Sequence, residues 1–101
     1  MKTLDRDELE NILSRYSGWV LEDGFLKKEY RLGDFDEAVK FINDVADIAR
    51  RLNHHPDICL HSYRKVIIAT MTHQVKGITE RDVEIVEMVE TLFQEKYEDT
   101  R

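Results

Sequence analysis

Apolar residues recur at spacings of three and four over 35–52, and this is the strongest periodic signal in the chain. The period predicts an amphipathic helix over about 35–52 whose apolar stripe packs on a sheet. Asn53 is suited to end that helix. Pro56 is the only proline, and because a proline disfavours helical geometry at the preceding residue, we expect His55 to lie outside the helix. The sequence therefore predicts a sharp helix-to-strand junction that carries two adjacent histidines.

Capping patterns mark three helix starts, because a polar N-cap side chain and an acidic one three residues later satisfy free backbone N–H groups. The pairs are Asp5 with Glu8, Asp34 with Glu37 and Thr79 with Asp82. They predict helices over about 6–16, 35–52 and 80–97. Short apolar or β-branched runs predict strands at 19–21, 25–32, 58–62 and 66–73.

The order of elements is helix, strand, strand, helix, strand, strand, helix, with no βαβ alternation that would require a parallel sheet. In the second strand Leu26, Tyr30 and Leu32 share one face, and the opposite face is mostly charged. We predict an α+β fold with a four-stranded, largely antiparallel sheet and three helices packed on one face, a two-layer sandwich. The 101 residues suit one domain over 1–101.

Composition narrows the class of protein. The formal net charge of −6 argues against a nucleic-acid partner, which requires a concentrated basic face. No apolar run is long enough to cross a membrane, and the N-terminal segment lacks a signal-peptide pattern. Cys59 is the only cysteine and is predicted to lie in the core, so no internal disulfide can form. These features predict a cytoplasmic protein without a membrane partner.

The last two strands predict a hairpin that gathers distant histidines. If the loop is 64–65, opposed residues have Cβ atoms about 5 Å apart, and His73 arrives beside His54 and His55. The register pairs are Tyr63 with Val66, Leu60 with Ala69, and Pro56 with His73. His61 falls in mid-strand, opposite Ile68, and is predicted to be a surface residue away from this cluster.

Three imidazoles at one end of a sheet suit two kinds of chemistry. Imidazole titrates near pH 6.5 and can act as acid or base, which favours proton transfer. Metal binding is the weaker alternative, because adjacent histidines rarely point at one ion and no carboxylate stands at ligand spacing. Structural roles are also open: His54 and His55 suit the negative end of a helix, and Asp82 suits a helix-capping position.

Motifs spread over nearly the whole chain carry a family resemblance. The specific combination is His54-His55-Pro56, Tyr63, His73 and Asp82; further landmarks are Gly18-Trp19, Phe35, Leu52-Asn53, Tyr63-Arg64-Lys65-Val66 and Thr79-Glu80-Arg81-Asp82. Together they resemble the signature of the pterin-4a-carbinolamine dehydratase family. Two positions depart from the family pattern. Arg50 stands where members often have glutamate, and Ile58 replaces an aromatic residue.

The resemblance implies a hydro-lyase that removes water from a 4a-hydroxytetrahydropterin to give the quinonoid dihydropterin, with no cofactor and no metal. It implies catalytic roles for His54, His55 and His73, with His54 and His73 as the acid/base pair. It implies a substrate site of His54, His55, Pro56, Thr72, His73, Gln74 and Val75. Asp82 would support either His73 or the entry to the last helix.

The resemblance also bears on partners. It implies a small-molecule pterin substrate and a homodimer or homotetramer. Some members of the family also act as dimerisation partners of a transcription factor. A non-catalytic binding or regulatory protein of the same fold is therefore the alternative, in which the histidines would be incidental.

Overall fold

Seven elements follow the predicted order along residues 1–98, which are the residues that the computed structural model describes. They are α1 (Arg6–Arg15), β1 (Val20–Glu22), β2 (Phe25–Arg31), α2 (Phe35–Leu52), β3 (Asp57–His61), β4 (Lys65–Thr70) and α3 (Glu80–Lys96). The fold is α+β, as predicted, and each helix begins at a predicted N-cap residue. The predicted single domain over 1–101 includes residues 99–101, which lie outside the described residues.

The four strands form one antiparallel sheet in the order β1-β2-β4-β3, so β2 and β4 are central. Leu26 and Tyr30 of β2 are buried on the same face as Val66 and Ile68 of β4, beneath the helices. This confirms the predicted two-layer arrangement. Residues on the opposite face are half-buried or exposed.

The register of the β3–β4 hairpin differs from the predicted one. Leu60 lies opposite Val66, not Ala69, and the loop is 62–64 instead of 64–65. Ser62 and Tyr63 both have positive φ values, of 49° and 57°, which close the loop without a glycine. The predicted pairing of Pro56 with His73 does not form, because β3 begins at Asp57 and β4 ends at Thr70.

The physical reason for this correction is the alternation of faces along a strand. A shift by an odd number of residues moves every side chain of β3 to the other face of the sheet. The observed register keeps Ile58 and Leu60 against the helix-covered core. It places Cys59 on the open face, where it is exposed, so the prediction of a core cysteine is wrong.

The chain turns away from the sheet earlier than predicted, which places His73 in a loop. Thr72 and Gly77 pair through two backbone hydrogen bonds, N to O, of 2.8 and 3.3 Å. This pairing folds residues 72–77 into a tight turn directly after β4. His73 therefore projects from a loop between β4 and α3, and not from the end of a strand.

A buried polar cluster ties α3 to the sheet. Oε1 of Glu90 accepts hydrogen bonds from Trp19 Nε1 at 3.0 Å, Tyr30 OH at 3.1 Å and Lys28 Nζ at 2.5 Å. Burial and the neighbouring Glu90 carboxylate raise the pKa of the Tyr30 phenol above its usual range. Since three donors come from two segments of the chain, Glu90 fixes how α3 sits over β2.

None of the helices within residues 1–98 is long and apolar enough to cross a membrane.

Candidate active site

A pocket of about 230 Å³ lies where the end of α2 meets the loop after β4 and the start of α3. Its lining residues are Asn53, His54, His55, Met71, Thr72, His73, Gln74 and Arg81. The three predicted histidines therefore share one pocket. Its volume is below the range of about 300–1,000 Å³ that is common for ligand sites, which suits a compact ligand.

The end of α2 delivers the first two histidines. Asn53 has a left-handed conformation (φ 52°, ψ 43°), which ends the helix as predicted. The backbone N–H of His54 then donates to the carbonyl of Ala49 at 3.2 Å, which closes the terminal turn. This turn directs His54 inwards, where it is buried, and leaves His55 exposed.

A buried carboxylate holds His54. Asp82 has no exposed surface, and its Oδ1 lies 2.7 Å from Nε2 of His54. The same oxygen accepts from Thr70 Oγ1 at 2.6 Å. Its Oδ2 accepts from Thr72 Oγ1 at 2.8 Å and from the backbone N–H of Thr79 at 2.9 Å. Asp82 thus has four hydrogen-bonding partners, which come from three segments of the chain.

This network assigns the tautomer of the His54 ring. A carboxylate only accepts hydrogen bonds, so Nε2 carries the proton and the lone pair of the neutral ring is on Nδ1. Nδ1 has no partner among the described residues, and no buried side-chain nitrogen or oxygen in residues 1–98 lacks one. Nδ1 is therefore the ring nitrogen that remains accessible to a ligand.

His73 reaches the pocket from the loop between β4 and α3. Its ring is exposed and meets the ring of Phe25 edge to face, with centroids 6.0 Å apart at 69°. Phe25 belongs to the outer face of β2, so it orients His73 without covering it. The site therefore combines one buried, carboxylate-held imidazole with two exposed ones.

The other predicted site residues divide into two groups. Thr72 and Gln74 line the pocket, whereas Pro56 and Val75 are half-buried outside its lining. Their contact with a substrate stays a prediction. Asp82 was predicted to support either His73 or the start of the last helix. It caps α3, and the histidine that it contacts is His54 and not His73.

His61 stands apart from the pocket, as predicted. Its Nε2 lies 2.7 Å from Glu29 Oε1 on the open face of the sheet, and its strand partner is Lys65 and not the predicted Ile68. Arg50 also lies outside the pocket lining and pairs with Asp47 at 2.5 Å on the surface of α2. Neither side chain touches the three clustered histidines.

Three lining residues were not predicted from the sequence: Asn53, Met71 and Arg81. Of these three residues, Arg81 is the only one with a charged side chain. Its Nη2 donates to the backbone carbonyl of Asn53, and its side chain forms part of the pocket wall. A signal for Arg81 did exist in the sequence. A cation in the first turn of a helix opposes the helix dipole, so its placement there suggests a role beyond helix stability.

A larger groove of about 510 Å³ runs between α2 and α3. Its lining has no histidine, and its carboxylates and basic residues are those of two amphipathic helix surfaces. The chemistry of the lining therefore favours the smaller pocket as the functional site.

Within residues 1–98, no group of three or more histidine, cysteine or acidic side chains is arranged to hold a metal ion.

The fold and the pocket define an α+β protein in which a carboxylate-backed histidine and two exposed histidines meet at one end of an antiparallel sheet. The sequence matches the family described as pterin 4 alpha carbinolamine dehydratase over residues 2–92. The chain belongs to this family.

Similar proteins agree with this membership. A protein of Sulfurisphaera tokodaii, provisionally named a pterin-4-alpha-carbinolamine dehydratase, is 41% identical over 92% of this chain and 99% of its own length. A protein of Herpetosiphon aurantiacus with the same provisional name is also 41% identical, over 92% and 96%. A crystal structure described as a transcriptional coactivator/pterin dehydratase from Brucella melitensis is 26% identical, with a TM-score of 0.83 over 90% of this chain and 98% of that one.

Proposed function

We propose that this chain is a pterin-4a-carbinolamine dehydratase, which removes water from a 4a-hydroxytetrahydropterin by histidine acid/base catalysis. The observation that carries the proposal is the shared pocket of His54, His55 and His73, with Asp82 behind His54. The names given to its relatives support the same reaction.

The chemistry requires one proton to be removed and one to be supplied. The N5–H bond of the substrate breaks, the N5 electron pair forms the new double bond to C4a, and the C4a–O bond breaks. The departing oxygen takes a proton and leaves as water. Two groups that titrate near neutral pH on either side of the ring are sufficient for this step, which is a redox-neutral elimination.

We assign the base to His54 and the acid to His73. The lone pair on His54 Nδ1 can accept the N5 proton, and the Asp82 carboxylate at 2.7 Å stabilises the imidazolium that forms. The exposed His73 can exchange protons with solvent and donate one to the leaving hydroxyl. His55 would orient the substrate beside them, and the main chain of Thr72 and Gln74 would line its site.

A dehydration assay with chemically generated 4a-hydroxytetrahydropterin tests the proposal. The wild-type chain should accelerate water loss above the uncatalysed rate, and His54→Ala and His73→Ala should each lower kcat by about 10²-fold or more. His61→Ala is the matched control, because His61 lies on the open face of the sheet. Full activity of both site variants would refute the histidine assignment, and no acceleration by the wild type would refute the reaction.

A binding or regulatory function is the second candidate, because the name of the Brucella structure joins a coactivator to a dehydratase. The open face of the sheet could support it. Val20 is 52% exposed there, and Phe25 and Ile67 are half-buried. We also expect a homodimer or homotetramer, which light scattering on the purified chain would measure. An active monomer would remove the argument for an oligomer without affecting the dehydratase assignment.

A further inference from the structure

We infer that Arg81 makes this site selective for pterins whose side chain carries a negatively charged oxygen group, a carboxylate or a phosphate. The inference rests on the proposed function, because it names the class of pterin that the same pocket would accept. It concerns a residue that the acid/base mechanism does not use.

Arg81 lies in the pocket wall, where its side chain can meet a ligand. It is half-buried beside His54, His55 and His73, on the first turn of α3. The guanidinium has five N–H donors in a planar fork, and the only acceptor its side chain has within residues 1–98 is the carbonyl of Asn53. The remaining donors can therefore bind a ligand.

Arg81 also lacks a neutralising partner for its positive charge among residues 1–98. It forms no ion pair with any carboxylate of the described residues. Of its two acidic neighbours along the chain, Glu80 forms no ion pair with it, and Asp82 is directed inwards and already accepts four hydrogen bonds. The positive charge of Arg81 is therefore available to the pocket.

The lining of the pocket as a whole contrasts in charge with the rest of the chain. The chain carries a formal charge of −6, yet none of the eight residues that line this pocket is acidic. The lining instead combines one arginine with three imidazoles and two amides. Asp82 lies behind His54 and outside the lining, so Arg81 is the one lining residue with a fixed charge, and this positive charge favours an anionic ligand.

Helix stability does not explain Arg81. A cation in the first turn of α3 interacts unfavourably with the positive end of the helix dipole, where acidic residues are preferred. A clamp on the Asn53 carbonyl would require only a neutral donor. A guanidinium matches carboxylate and phosphate oxygens through two parallel hydrogen bonds, which accounts for both its charge and its shape.

Binding measurements with stable, oxidised pterins test the inference without relying on turnover. The probes are pterin-6-carboxylate and 6-methylpterin, titrated against the purified chain by pterin fluorescence. For the wild type we expect the carboxylate to bind about tenfold or more tightly than the methyl compound, as a charge-assisted bidentate contact provides. Arg81→Gln should bring this ratio close to one, and Arg81→Lys should give an intermediate ratio.

The controls separate charge recognition from structural damage. Arg50→Gln removes a nearby cation that is outside the pocket lining and should leave the ratio unchanged. The affinity ratio compares the two pterins within one variant, so a general loss of site geometry weakens the binding of both. The melting temperature of each variant shows separately whether loss of the contact with Asn53 destabilises the fold. The phosphate monoester of 6-hydroxymethylpterin, as a third probe, distinguishes phosphate from carboxylate as the preferred group.

The binding measurements distinguish failure of the Arg81 inference from failure of the proposed function. If both pterins bind the wild type equally and Arg81→Gln changes nothing, the inference is overturned while the dehydratase proposal stands. If neither anionic nor neutral pterins bind the wild type, the proposed function itself fails.

Discussion

Nε2 of His54 lies 2.7 Å from Oδ1 of Asp82, and this contact joins the end of α2 to the first turn of α3. Asp82 serves two purposes at once: it caps the helix through Thr79 and orients the imidazole. One carboxylate therefore couples the stability of α3 to the geometry of the proposed site.

Asp82→Asn tests this double role. The amide replaces one carboxylate oxygen by an NH₂ group that cannot accept, so at least one of the four donors is left unsatisfied in a fully buried position. We expect a loss of about 2–4 kcal/mol in the free energy of unfolding and a decrease in kcat of about 10²-fold from misorientation of His54. Urea denaturation and the dehydration assay measure these effects.

Glu84→Gln is the control for the Asp82 variant, because the same chemical change falls on an exposed residue of the same helix. It should leave both stability and kcat unchanged. An Asp82→Asn variant that loses stability but retains kcat would show that the contact is structural only.

The rate of the wild type should depend on pH in a bell-shaped manner. In the proposed mechanism the base must be neutral and the acid must be protonated, so protonation at low pH and deprotonation at high pH both remove the active form. Because imidazole titrates near pH 6.5, both limbs should fall between about pH 5 and 9. A flat kcat profile over this range would contradict histidine acid/base catalysis.

Tyr30 should make the fold sensitive to alkaline pH. Burial and Glu90 raise the pKa of its phenol in the folded state, so the folded chain holds this proton more tightly than the unfolded chain does. The stabilisation is complete below the unfolded pKa near 10 and decreases as the pH rises above it. We expect tyrosinate absorbance from this residue to appear only together with unfolding, followed by circular dichroism.

Tyr30→Phe is the matched variant, because it keeps the ring in the core and removes the ionisable hydroxyl. It should lose about 1 kcal/mol at neutral pH, since the hydrogen bond to Glu90 is lost. Above pH 10 its stability should decrease less steeply than that of the wild type. Identical alkaline transitions in both chains would contradict the role of Tyr30.

Alanine substitutions at two glycines separate the cost of backbone strain from the cost of a steric clash. Gly18 and Gly24 both have positive φ, of 90° and 85°. A Cβ on Gly24 would meet nothing within 4 Å, so Gly24→Ala should cost about 1 kcal/mol from strain alone. A Cβ on Gly18 would lie 2.8 Å from Cε of Lys28, whose ammonium binds Glu90.

Gly18→Ala should therefore be more destabilising than Gly24→Ala, because Lys28 must move away from the buried Glu90 carboxylate. Thermal or urea denaturation of the two variants measures the difference. Equal losses would show that the Lys28 side chain relocates without weakening its ion pair.

The elements and their boundaries follow largely from local physical chemistry. Capping pairs such as Asp5 with Glu8 are completed by neighbours three residues apart, and the apolar period of α2 records which face is buried. Pro56 and Asn53 fix the junction that carries His54 and His55. These signals depend on residues close together in the chain, so the sequence alone predicts them.

The register of the hairpin and the identity of the partners depended on tertiary structure. A three-residue loop with two left-handed residues has no distinctive sequence signal at Ser62 and Tyr63, and only burial of Ile58 and Leu60 selects it. The contact of Asp82 with His54, 28 residues apart, and the placement of Arg81 in the pocket wall arise from the packing of α3 against the end of α2. Local patterns determine which segments form helices and strands, whereas the pairing of distant polar groups is determined by how those segments pack.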